Sequence, residues 1–138
     1  MAIKYSLDWW GLKPTRAHET DAGIDLLCPE PHCLGAGDAI VINTGVHVEI
    51  PHGCAGFLKS KSGLNVKHGI ISDGVIDEGY TGAIVVKLYN LGDDPYFFKT
   101  GDKLTQLVIQ PVVCDELEEV EEISGGERGD SGFGSTGR

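Results

Sequence analysis

An all-β fold is the first expectation for this chain, and three features carry it. Twenty glycines and six prolines are spread along 138 residues, Val and Ile recur in short runs, and clusters of turn residues separate those runs. A chain of this length forms one domain with a proper core and leaves no room for a second folded unit.

Residues 2–7 alternate as a first strand, whereas Trp9 to Thr20 has charges and turn residues but no period. That predicts a surface loop with Trp9 and Trp10 packed at its base. Asp21-Ala-Gly-Ile-Asp25-Leu-Leu couples a glycine turn to a short apolar strand and puts Asp25 where loop meets sheet. In that place an acid is either a solvated turn residue or an outer ligand to a hard cation such as magnesium. Ala39 to Ile42 and Val46 to Ile50 predict a hairpin closed by Asn43-Thr44-Gly45.

Phe57-Leu-Lys-Ser-Lys-Ser-Gly-Leu64 changes from strand to a run of small, basic and hydroxyl residues. Lys61 offers charge, Ser62 a hydroxyl donor and Gly63 room, so the run is either an exposed basic turn or a seat for phosphate. Gly74-Val-Ile-Asp-Glu-Gly-Tyr80 brackets two β-branched residues and an acid with glycines. It predicts a tight hairpin whose main chain stays accessible. Asp77 at that bend either turns the chain or accepts a proton from a reacting water.

Farther on, Ala83 to Tyr89 predicts a buried strand, Gly92 to Pro95 a turn, and Tyr96 to Phe98 another strand. Gln106 interrupts the apolar strand Leu104 to Ile109, and its amide has to find partners in a neighbouring loop or a ligand. Leu117, Val120 and Ile123 recur every three residues among glutamates, which fits a helix or an extended arm across another subunit. The stretch Arg128 to Arg138 is too rich in glycine to bury a core. Even so, it places Arg128, Phe133, Ser135 and Thr136 on one arm: a ring to stack on a base and donors for a polyphosphate.

A net charge of -10 excludes a basic stripe able to neutralise a nucleic acid polymer. Cys28, Cys33, Cys54 and Cys114 form neither a CxxC pair nor a zinc pattern, and the five histidines lack the spacing of a helical zinc site. Free thiols in a cytoplasmic protein are expected. The apolar runs are too short to span a bilayer, and Met-Ala-Ile-Lys-Tyr at the start holds no apolar targeting core.

Five blocks in order now resemble the homotrimeric dUTP pyrophosphatases, the dUTPases, over nearly the whole chain. They are Ala-Gly-Ile-Asp-Leu at 22–26, Lys-Ser-Gly-Leu at 61–64, Gly-Val-Ile-Asp-Glu-Gly-Tyr at 74–80, Gly-Asp-Lys-Leu-Thr-Gln at 101–106 and Arg-Gly-Asp-Ser-Gly-Phe-Gly-Ser-Thr-Gly at 128–137. The resemblance implies a jelly-roll-like all-β fold and a homotrimer with active sites between subunits. Residues 1–123 would form a β-domain ending in a crossing acidic strand, and residues 124–138 a flexible arm closing the site.

By the same likeness Asp77 activates the water that attacks the α-phosphorus of dUTP, yielding dUMP and pyrophosphate. Asp73, Gly74, Val75 and Ile76 would read uracil, and Tyr80 would pack under the deoxyribose and exclude a 2'-hydroxyl. Lys61, Ser62, Gly63 and Gln106 would hold phosphates; Arg128, Gly134, Ser135 and Thr136 would close over them, with Phe133 stacked on uracil. Asp25 would touch Mg2+ through water, the phosphates being its direct ligands. The family's second block usually begins with arginine, where this chain has Lys61. A dCTP deaminase of similar fold would need a glutamate where Thr81 stands, and a dUTP-sensing regulatory protein would work by contacting a partner.

Overall fold

The computed structural model describes residues 2–134 and 137; Ser135 and Thr136, assigned above to phosphate closure, lie outside the described residues. Ten strands and one short helix follow in order: β1 (Tyr5–Leu7), β2 (Gly23–Leu27), β3 (His32–Leu34), β4 (Ala39–Asn43), β5 (Val46–Val48), β6 (Cys54–Lys59), α1 (Ser62–His68), β7 (Ile70–Ile76), β8 (Val85–Asn90), β9 (Tyr96–Phe98) and β10 (Lys103–Pro111). Six strands make one sheet in the order β2-β10-β6-β7-β8-β4, and β1-β5 and β3-β9 form two small ribbons. The all-β expectation holds, in a curled, jelly-roll-like form.

The core lies where the strands turn their apolar faces together, with Leu26, Leu58, Val86, Leu88, Phe98 and Leu107 almost wholly buried. β8 alternates outward and inward residue by residue, so it is half-buried, not the buried strand its composition predicts. No helix among the described residues is long and apolar enough to cross a membrane.

β7 decides where the site can form. Its first half pairs with β8, Ile70 opposite Asn90 and Ser72 opposite Leu88. Its second half pairs with β6, Asp73 opposite Lys59 and Ile76 opposite Gly56. Past Ser72, β7 and β8 part company, and among the described residues no strand pairs with the edge that β7 thereby uncovers.

Three local expectations are corrected. β4 and β5 do not form a hairpin: β4 pairs with β8 and β5 with β1. The linking Asn43-Thr44-Gly45 is a corner, because the buried Thr44 donates both its N–H and its hydroxyl to the Ile84 carbonyl, at 3.0 and 2.7 Å. Trp10 packs on that corner, against the space that a side chain at Gly45 would fill, while Trp9 stands 95% exposed and packs nothing. The run after Lys61 folds as α1, in which only Leu64 is buried. A single buried position leaves no apolar stripe to find in the sequence. Gly69, in the left-handed region at φ 68°, ends the helix by donating to the carbonyls of Asn65 and Leu64.

Candidate active site

The Gly74–Tyr80 block is strand first and turn second. Gly74 to Ile76 continue β7, and the bend is confined to Asp77-Glu78-Gly79-Tyr80, where the Tyr80 N–H bonds the Asp77 carbonyl at 3.1 Å. Gly79 sits at φ 89° in the third position of this turn, a conformation other residues resist, and Asp suits the first. Asp77 is exposed and lies at the mouth of the cleft that opens where β7 leaves β8. Val75, Ile76, Asp77, Tyr80 and Val85 line a cavity of about 260 Å³ there.

Tyr80 is fixed by its own loop. Its hydroxyl donates to the Ala83 carbonyl at 2.8 Å, and a Cβ on Gly82 would come within 2.5 Å of that hydroxyl. Gly82 is therefore the residue that lets the ring fold back beside the cleft, a role the sequence reading did not assign.

Behind the turn, Glu78 is tied to the loop before β6: one carboxylate oxygen accepts the Gly53 N–H at 2.8 Å and the other meets His52 Nδ1 at 3.0 Å. The His52 pair raises the histidine above its ordinary range; the same bond, with the Gly53 N–H, holds Glu78 below its own. Next to Tyr80, the Thr81 carbonyl meets His47 Nδ1 at 2.7 Å, and the other ring nitrogen meets Asp8 at 3.0 Å. Both partners accept, so the imidazolium form, donating from both nitrogens, is the one that satisfies them together. Its pKa is raised, first by the Thr81 carbonyl and then by Asp8.

The second group of predicted residues gathers elsewhere. Asp25 is not at a loop junction but in mid-strand, 2% exposed and opposite Gln106. Its Oδ1 accepts from the Lys61 ammonium at 2.6 Å, and Lys103 approaches its Oδ2 at 3.2 Å. Lys61 occupies the N-cap of α1 without a side-chain capping bond. Lys61, Gly63, Lys67, Gly101 and Lys103 are among the lining of a cavity of about 450 Å³. A side chain at Gly63 would meet no described atom within 4 Å, so this wall of the cavity is open.

Gln106 has a structural partner: it donates to the Ser60 carbonyl at 3.0 Å, and its amide fills the space that a side chain on Gly23 would need. Ser60 takes part in a second tie, its hydroxyl bonding both the carbonyl and the N–H of Ser72. The Ser72 hydroxyl meets that of Thr105 at 2.8 Å, and Thr105 donates to the Lys59 carbonyl. Ser60 and Ser72, just ahead of the second and third blocks, are thus tied to Thr105 in the fourth, a structural role the sequence reading did not assign; Ser72, a candidate for contact with uracil, spends its hydroxyl on Thr105. The signal was there: hydroxyls interrupting apolar strands need partners when buried. Asp73, by contrast, is exposed and pairs with Lys59 at 3.6 Å.

The Asp77 cleft and the lysine cavity share no lining residue. No described residue of the arm lines either cavity. No helix forms over Asp115 to Ile123, and Leu117 and Ile123 stand in solvent. Residues Arg128 to Ser131 form a turn, and the Phe133 ring is fully exposed.

Comparison with known proteins agrees with this arrangement of blocks. A model of the dUTPase family matches residues 12–137. A deoxyuridine 5'-triphosphate nucleotidohydrolase of Anaeromyxobacter sp. is 45% identical over 126 residues, covering 88% of this chain and 86% of that one. The protein of that name from Clostridium acetobutylicum is 40% identical over 134 residues, covering 95% and 92%. Among solved structures, the Staphylococcus bacteriophage 80alpha dUTPase with dUPNHPP superposes with a TM-score of 0.87 at 34% identity over 99% of both chains. A mutant dUTPase of S. aureus phage phi11, described for its coordination of a structural Mg(II) ion, gives 0.83 at 31% identity over 91% of this chain and 100% of that one. With the five blocks in order, the strand edge freed beside Asp77 and matches of this length, the chain belongs to the dUTPase family.

Proposed function

We propose that the chain hydrolyses dUTP to dUMP and pyrophosphate, with Asp77 as general base, in sites that neighbouring copies of a homotrimer complete. The observation that carries the placement of the base is the cleft between β7 and β8. There an unpaired main-chain edge at Gly74 to Ile76 lies beside an exposed carboxylate. Such an edge can exchange hydrogen bonds with uracil as a neighbouring strand would. The Tyr80 ring, its hydroxyl bonded to Ala83, would pack under the deoxyribose.

Asp77 takes a proton from water as the water oxygen bonds the α-phosphorus; the bond from that phosphorus to the bridging oxygen breaks and pyrophosphate leaves. General-base help of this kind supplies roughly a hundredfold to ten-thousandfold. Positioning and charge on the polyphosphate supply the rest. The lysine cavity would be the phosphate seat, brought to the Asp77 of a neighbouring copy in the trimer. An exposed Phe133, with Arg128, Gly134, Ser135 and Thr136, fits an arm that closes on a neighbour's nucleotide.

Magnesium fits as a companion of the substrate. The described residues hold no cluster of three or more acids, histidines or cysteines able to bind it, and both Asp25 oxygens face ammonium groups. Phosphate oxygens would be its direct ligands, and Asp25 would reach its water shell once an ammonium turns to phosphate. When bound, it offsets charge on the departing pyrophosphate. Cytosolic work suits four free cysteines.

The test is pyrophosphate release from a panel of deoxynucleoside triphosphates by the wild type and Asp77→Asn. Selective hydrolysis of dUTP is expected, with Asp77→Asn still binding the analogue dUpNHpp but turning over slower by about a hundredfold or more. Ammonia release from dCTP, or normal turnover by the variant, overturns the reading.

A further inference from the structure

We propose that Lys103 is a second substrate cation, which with Lys61 holds the β- and γ-phosphate end of the nucleotide across the buried carboxylate of Asp25. The inference rests on the reading of this cavity as the phosphate seat. Lys61 and Lys103 bind opposite oxygens of one carboxylate, at 2.6 and 3.2 Å. One negative charge cannot neutralise two positive ones, so the trio keeps a unit of positive charge beside the cavity. Lys67 adds another at the cavity wall, against Asp102, whose carboxylate takes the Lys99 N–H at 2.8 Å. In a chain of net charge -10, such a local excess of cations needs an anionic counterpart.

The geometry favours Lys103 as a working partner of Lys61. Asp25 is 3% exposed in its side chain, but Lys61 is 25% and Lys103 47% exposed, so the carboxylate is an anchor and the ammonium groups face outward. The register of β10 against β2 shifts between Lys103 and Thr105, and an irregularity of this kind re-aims a side chain. Each ammonium has three N–H donors; Lys61 spends one on Asp25, and Lys103 stands at ion-pair distance from the other oxygen. A single lysine offers phosphate a point charge without a fork; two lysines held apart on one carboxylate offer two prongs.

The test compares Lys103→Gln and Lys103→Arg with the wild type by calorimetric titration of dUpNHpp and of dUMP, with Tm measured alongside. Lys103→Gln is expected to weaken dUpNHpp about tenfold, to leave dUMP within about twofold, and to make dUpNHpp binding less sensitive to salt; Lys103→Arg recovers most of the loss. Unchanged dUpNHpp affinity in Lys103→Gln, or equal losses for dUpNHpp and dUMP, overturns the assignment. The parent reading fails separately, on absence of dUTP turnover by the wild type.

Discussion

The Asp25 cluster and the Asp77 turn each centre on an acid assigned to the proposed site, yet they are built in opposite ways. Asp25 sits inside the sheet, flanked by two lysines, above strands stitched together by Ser60, Ser72 and Thr105. Asp77 stands on an exposed four-residue turn held by a few bonds: Tyr80 to Ala83, Glu78 to Gly53 and His52, and Thr81 to His47. A buried carboxylate between two ammonium groups serves as an anchor for them. A carboxylate that must exchange a proton with water has to face a cleft that substrate fills. The lysine side is thus tied together within the sheet, while the Asp77 side stands open on a turn.

The contrast breaks most severely at Asp25. Asp25→Leu strands two ammonium groups beside a buried site and should cost about 3 kcal/mol, toward the lower end for a broken buried pair because both lysines can reach water. Thermal unfolding should show it as a fall in Tm on the order of 10 °C. An unchanged Tm would mean that the pair is not structural.

Removing residues 128–138 probes the open side. The last strand ends at Pro111, so Tm and oligomeric state should survive, while kcat/KM for dUTP falls about a hundredfold through lost positioning. Loss of folding on truncation would place the arm in the scaffold.

The smallest effect is on pH. His47 and His52 have raised pKa values, so what they contribute is fully present below about pH 6.5 and is lost as pH rises through their folded values. Glu78 is lowered, so its contribution is present above its ordinary value and is lost as pH falls through the folded one. The His52–Glu78 tie is strongest between those limits. Both side chains are well exposed, so the alkaline limb of kcat/KM should change only severalfold, and His52→Gln should flatten part of it. Identical profiles would show that the tie does not steady Asp77.

Much of this was legible in the chain because the signals were local. Short β-branched runs gave the strands, and the five blocks gave Lys61, Asp77, Tyr80 and Gln106 as residues of interest. The hairpin at Asn43 to Gly45 was misplaced because turn chemistry says that a chain bends, not which strand it meets next; Thr44 bonding Ile84 decided that. Asp25 looked like a loop residue because burial of a charge depends on partners thirty-six and more positions away. The same holds for Gln106, whose partner Ser60 lies forty-six residues off.

Residue chemistry alone determined that this chain forms strands, carries an acid at a glycine bend and keeps its few cations in particular places. Only the packed fold decided which groups stand together: β7 changing partners at Ser72 frees a strand edge beside Asp77, and β10 crossing β2 brings Lys103 over Asp25. Strand pairing joins residues distant in the chain, and a propensity read one stretch at a time carries no information about distance in space.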